Sequence, residues 1–259
     1  MSITKLVSLT QERNLFIALS LNPSLENIPK FLGTTDETIE IFNKIVVDAV
    51  SEVAGAICVD SLKYEKFGNM GVSTFSATLD YIMQKGLFAI SEGTAFFNCD
   101  GATVSPYGRI LPDGYAKISN SSGMVYFMHI NSFDQDIENR ITKIIEETIY
   151  CTLTGDGFCN LGLSVIPEIP EKAEIIREAF DDCFFIVEPP TKEFYSEAVR
   201  CCFRRDGLGA AIKTDSRFFK NCVKAENTEE LMSIVKNEFL KWNRRANKVL
   251  TRKSFPVYL

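Results

Sequence analysis

Short apolar runs alternate along this chain with longer stretches in which apolar residues recur at helical spacing. The first run is Leu15–Leu21. An amphipathic stretch follows over Asp36–Val53, with Ile39, Phe42, Ile45, Val46 and Ala49 on one face. Ala54–Val59 predicts a second strand, Ser73–Lys85 a helix ended by Gly86, and Leu87–Ser91 a third strand. Ala102–Ser105 and Met124–Ile130 predict the fourth and fifth. Isoleucines 137, 141, 144, 145 and 149 mark a long helix near Gln135–Leu153. Leu161–Ile166 is the sixth strand, and Pro170 opens a helix to Phe180, as proline does in a first turn. Cys183–Val187, a helix over Lys192–Arg204, and Gly209–Lys213 complete eight strands before a terminal amphipathic helix, Thr228–Val249.

Eight short buried strands that mostly alternate with helices predict an α/β protein with a parallel sheet. Eight strands close a (β/α)8 TIM barrel. The rival from pattern alone is an open doubly wound sheet, but no G-x-G-x-x-G turn follows the first strand. A length of 259 residues suits one barrel domain over 1–259. The segment Glu92–Gly101 between strands three and four is shorter than a parallel crossover normally needs. The crossover helix there is expected to be lost or shortened, its place covered by Phe96 and Phe97 or by a partner protein.

Composition narrows the function classes. The net charge is −6 and the pI about 5.1, which speaks against a general nucleic-acid binder. One local basic stretch, Lys241, Arg244, Arg245, Lys248, Arg252 and Lys253, reads as a solvated helix face or as a docking surface for an acidic partner. The eight cysteines (58, 99, 151, 159, 183, 201, 202 and 222) form no C-x-x-C pair, and one histidine cannot complete a zinc cluster with them. They read as reduced, buried thiols of a cytoplasmic protein. No signal peptide or membrane-spanning run is evident, and neither a metal nor a cofactor is implied.

An ordered series of fragments resembles the longer, bacterial-type branch of the orotidine 5′-monophosphate decarboxylase family. Ala18–Glu26 (ALSLNPSLE) is similar to an opening GLDPDLE turn, and Phe42–Ala49 (FNKIVVDA) to an FN..IIDAT helix. Tyr64–Gly68 (YEKFG) resembles YEAYG, and Ala102–Gly108 (ATVSPYG) resembles AVTVNPYLG. Gly162–Val165 with Pro170–Glu171, and Asp215-Ser216-Arg217, resemble the sixth strand with its helix and the SR turn after the last strand. The series spans about residues 14 to 220.

That resemblance implies a D-x-K-x-x-D array whose lysine protonates the carbanion while its carboxylates act by charge. Here the corresponding segment is Ser91-Glu92-Gly93-Thr94-Ala95-Phe96-Phe97. Glu92 stands in place of the first aspartate and Thr94 in place of the lysine. The second aspartate and a following segment have no counterpart. Asn22 replaces the LDP aspartate, and Cys58 the lysine of strand two. The glycine-rich phosphate loop has become Glu188–Glu193 (EPPTKE). Only Ser216 and Arg217 keep a phosphate-binding signature.

Three functions are compatible with this pattern. The first is a catalytically inactive pseudoenzyme whose barrel serves as a scaffold for a protein partner: a homodimer, an active paralogue or a larger assembly. The second is a sensor that retains nucleotide or phosphate binding through Arg217. The third is an enzyme of different chemistry, for which Glu92, His129 and Lys213 supply a carboxylate, an imidazole and an amine at strand ends.

Overall fold

In the computed structural model, eight strands close into a barrel in sequence order: β1 Ile17–Ser20, β2 Ala56–Asp60, β3 Phe88–Glu92, β4 Gly101–Val104, β5 Val125–Ile130, β6 Leu161–Val165, β7 Phe184–Val187 and β8 Ala210–Lys213. The structure describes residues 3–22, 24–33, 35–93, 98–105, 124–130, 157–167, 170–193 and 195–251, with isolated helical positions at 136, 139 and 143. Every neighbouring pair is parallel, and β8 returns to β1 with Ile17 opposite Ile212, which rules out the open sheet.

The described α-helices are α1 Ile3–Glu12, α2 Thr38–Val50, α3 Leu62–Glu65, α4 Gly68–Gln84, α5 Pro170–Ala179, α6 Tyr195–Cys202 and α7 Thr228–Leu250. Four differ from expectation. α1 and α3 were not foreseen, α4 begins before Ser73, and α6 is shorter than Lys192–Arg204. A 3-10 helix over Ser216–Lys224 was also unforeseen. Residues 93–100 join β3 to β4, and no helix occurs among those described (93 and 98–100). Most of the helix expected near 135–153 lies outside the described residues, as do Thr94, Phe96 and Phe97.

Strand side chains alternate between two cores. Leu19, Ile57, Val59, Ala89, Leu163, Phe185 and Ile212 point outward and pack with the helices. Ala18, Ala56, Cys58, Phe88, Ile90, Phe127, Phe184, Ile186 and Ala211 fill the barrel interior. The N-terminal end of the barrel is plugged by α1, whose Ile3, Leu6 and Val7 join that inner cluster. Its docking is directional. Lys5 Nζ donates to Asp100 Oδ2 and to the Leu87 carbonyl, each at 2.8 Å, while the Ile3 N–H donates to Asn160 Oδ1 at 3.1 Å. At the periphery, Asn243 of α7 accepts from the Phe16 N–H at 2.8 Å and ties the last helix to the start of β1.

The interior is uneven in size, and one ring dominates it. Phe127 of β5 meets Phe88 of β3 edge-to-face at 6.4 Å between centroids. It lies over Gly162 of β6, where an added Cβ would fall inside the ring edge and 2.9 Å from the Phe184 carbonyl oxygen. A glycine is required there because the backbone side cannot yield. Gly162→Ala is therefore expected to destabilise the fold by about 1–3 kcal/mol through overpacking. Chemical denaturation measures this; an unchanged midpoint would show that Phe127 relocates freely.

Candidate functional site

The same alternation that builds the inner core selects what reaches the C-terminal mouth. Stepping by two from the inward residues of each strand gives Asp60 after Cys58, Glu92 after Ile90, His129 after Phe127, Glu188 after Ile186 and Lys213 after Ala211. Strand register aligns Asp60 with Glu92 directly. The lumen thus passes from phenylalanine and alanine to ionisable groups within one layer.

Those groups form a triad. Lys213 Nζ donates to Glu92 Oε1 and Oε2, both at 2.8 Å, and to Glu188 Oε1 at 2.8 Å and Oε2 at 3.0 Å. Lys213 is 6% exposed and Glu92 7%, so the pair is held away from bulk water. Burial works against the charge on Lys213, but the attraction of Glu92 and Glu188 outweighs it and holds the ammonium well above its ordinary value. Burial pushes the Glu92 carboxyl up; Lys213 pulls it down, and Glu188 and Asp60 push it up again. Two carboxylates share one ammonium, and the cluster carries a net negative charge.

Around the triad the remaining polar groups are occupied with one another. Asn22 Nδ2 donates to Ser20 Oγ at 2.8 Å, and Asn22 Oδ1 accepts from the Asp60 N–H at 3.1 Å, so Asn22 bridges β1 to β2. Cys58 lies fully buried beneath, its thiol pushed well above the ordinary value by burial and then by the Glu92 carboxylate. It is a neutral group in the position where the family resemblance implies a lysine. Gly93 turns the chain out of β3 at φ 93°, where a side chain would collide with Ser61 and come within 3.1 Å of Asp60 Oδ1.

The structure regroups the residues proposed from sequence. Glu92 and Lys213 meet, as one charged pair. His129 does not join them by hydrogen bond; its Nδ1 is 3.0 Å from Ser164 Oγ, and burial lowers its pKa. Glu188 takes the second place beside Lys213. The sequence signal for it was its inward parity on β7, which its reading as a degenerate phosphate loop obscured. Ser216 and Arg217 are exposed at the start of the 3-10 helix. The Arg217 guanidinium is paired with Asp215, whose carboxylate also accepts from the Arg217 N–H at 2.8 Å.

Removing the ammonium leaves two carboxylates facing each other in a low-dielectric site. Lys213→Met is expected to cost about 3–5 kcal/mol in urea denaturation. Adding Glu92→Leu to that variant should recover most of the loss, because the buried like-charge pair is then gone. A fully stable Lys213→Met protein would mean that water already solvates both carboxylates.

Glu92 also gives the fold a pH dependence. Between the ordinary glutamate value of about 4.3 and the raised value of Glu92, the folded chain keeps a proton that the unfolded chain has released. Stability from this group is thus greatest on the acid side of that window and falls as pH rises through it. Glu92→Gln should flatten this slope in a series of denaturation midpoints against pH. An unaltered slope would assign it to another group.

Comparison with known proteins places this geometry in a family. No protein-family model matches the chain. It is similar to the orotidine 5′-phosphate decarboxylase of Clostridium perfringens strain ATCC 13124, with 30% identity over an alignment of 264 positions, covering 83% of this chain and 92% of the relative. It is also similar to the enzyme of that name from Flavobacterium johnsoniae, with 24% identity over 198 residues, 68% of this chain and 72% of the relative. Among solved structures, Leishmania donovani OMP decarboxylase superposes with a TM-score of 0.68 at 14% identity, covering 97% of this chain and 100% of that one. Plasmodium berghei orotidine 5′-monophosphate decarboxylase gives a TM-score of 0.68 at 12% identity, covering 96% and 98%. The structural likenesses establish the barrel and the sequence relationship goes further: the chain belongs to the orotidine 5′-phosphate decarboxylase family.

Proposed function

We propose that this family member does not decarboxylate orotidine 5′-monophosphate and that its barrel serves as a scaffold for a protein partner, in the first instance a second copy of the chain. The observation that carries the first half is the placement of Lys213. Decarboxylation as the family resemblance implies it needs an ammonium free to hand a proton to a carbanion. Here the ammonium is taken by four carboxylate oxygens and holds its proton tightly. The strand-two lysine position carries a neutral thiol, and the surplus negative charge opposes a substrate bearing a carboxylate and a phosphate.

Support for the scaffold half comes from the surface. Ile41, Leu62, Met70 and Val72 are exposed on α2, α3 and α4, helices that pack against one another. A groove bounded by Asp36, Ile39, Phe67 and Met70 runs between them. Exposed Met70 borders this groove, and an apolar group at such an edge is a foothold for a protein contact.

A second reading, retained phosphate binding, is favoured by one observation: the Arg217 side chain is 61% exposed and, among the described residues, is held by a neighbouring aspartate alone. The two readings separate in one set of measurements. The purified chain with orotidine 5′-monophosphate is expected to show no turnover above the uncatalysed rate, and sedimentation velocity is expected to show self-association weakened by Met70→Lys. Turnover abolished by Lys213→Met would reverse the first half, and a monomer at all concentrations the second. An upward shift of the melting midpoint with millimolar uridine 5′-monophosphate, lost in Arg217→Ala, would establish the sensor instead.

A further inference from the structure

The end of the barrel opposite the triad carries a pair of thiols that the proposed function does not use. Cys159 precedes β6 and Cys183 precedes β7, and both are fully buried. Their sulfurs are 3.5 Å apart, although 24 positions separate them in sequence. The backbone is already joined at this point, since the Cys159 N–H donates to the Asp182 carbonyl at 2.9 Å. Neighbouring parallel segments of this kind run about 4.8 Å apart, within the span that a disulfide bridges.

We propose that Cys159 and Cys183 are a dithiol–disulfide site, closed by a small peroxide and reopened by thiols. The two sulfurs have distinct roles. The Cys159 S–H is directed to the Leu161 carbonyl at 3.2 Å, which leaves Cys183 to donate its own S–H to the Cys159 sulfur. That donation lowers the pKa of Cys159, whereas Cys183, having given its hydrogen bond and lying in an apolar setting, is pushed up. Cys159 is therefore the sulfur that attacks and Cys183 the one that resolves.

The chemistry balances with hydrogen peroxide as oxidant. The Cys159 sulfur attacks one peroxide oxygen; the S–O bond forms as the O–O bond breaks, and the second oxygen leaves as water with the proton that Cys159 lost. The Cys183 sulfur then attacks Cys159, the S–S bond forms, the S–O bond breaks, and a second water leaves with the Cys183 proton. Two thiols are oxidised to one disulfide while both peroxide oxygens are reduced to water. Both sulfurs are fully buried, so the reaction is slow and waits on local opening of this end of the fold.

The position gives the bridge a structural consequence. The loop it would close holds β6 and α5 and ends just before β7. Arg177 of α5 already gathers this corner. Its guanidinium donates to the carbonyls of Cys183, Cys202 and Gly209, each at 2.9 Å, and stacks on Phe185 at 3.4 Å. A disulfide would add a covalent closure to a corner held until then by one cation.

The test uses the whole chain, unmodified. After exposure to hydrogen peroxide, thiol counting in denaturant should show the loss of two of the eight thiols. Peptide mapping should recover Cys159 linked to Cys183, and dithiothreitol should restore both. The melting midpoint should rise by about 5–10 °C, as closure of a loop this long predicts. Cys183→Ala should stop the reaction at a sulfenic acid on Cys159, trapped by a dimedone-type carbon nucleophile; should that variant not fold, the map of the unmodified chain decides alone. Retention of all thiols, a bridge between any other cysteines, or oxidation that dithiothreitol does not reverse overturns the proposal.

Discussion

One ammonium between two carboxylates is the constraint around which the barrel mouth is organised. A parallel barrel of this size must fill its own lumen, and here the lower layers do so with Phe88, Phe127, Phe184 and small residues opposite them. The layer above cannot be apolar and ionic at once without penalty. Glu92, once inward on β3, requires a cation within hydrogen-bond reach, and Lys213 from β8 is the group that reaches it. Beside the triad Asn22 donates to Ser20 Oγ and accepts from the Asp60 N–H, bridging β1 to β2, while the Asp60 carboxylate accepts from the Leu62 N–H.

The triad also explains why Cys58 is compatible with this lumen and why it differs from the implied family pattern. In the resemblance, strands two and three contribute lysines, and the charges alternate. This chain has a thiol on β2 and supplies its single lysine from β8, so the array is rebuilt with one cation fewer. A neutral thiol fits beneath a cluster that already carries excess negative charge, and burial first, then the Glu92 carboxylate, keeps the thiol protonated.

The strands were legible because a strand buried on both faces gives a continuous apolar run, and all eight did so. Closure was legible only as a number, since register is not written in any single run; the β8–β1 pairing supplied it. α1 was missed although Ile3, Leu6, Val7 and Thr10 have helical spacing, because a short segment at a chain start reads equally well as a tail. In the site, Glu92, His129 and Lys213 were all found from strand ends, and the structure pairs the first with the third while His129 turns to Ser164. Parity along β7 would have chosen Glu188 as well, since both are inward. Choosing between them requires knowing how far each side chain reaches across the lumen, which depends on barrel stagger and not on the local sequence.

The two ends of the barrel solve the burial of charge in opposite ways, and the difference bears on what each end can do. At the mouth, cation and carboxylates neutralise one another, so any change of protonation in one is felt by the others. Beside the floor, Arg177 is buried with backbone carbonyls as its described hydrogen-bond partners, and burial brings it down to about 10. Carbonyls do not titrate. The Arg177 contacts therefore do not respond to pH around neutrality, and the responsive groups of that corner are its sulfurs. A barrel that carries proton-linked groups at one end and a thiol pair at the other can be perturbed at either without a shared charge network, because the inward side chains named between them are apolar but for Cys58, which stays a neutral thiol, and transmit packing.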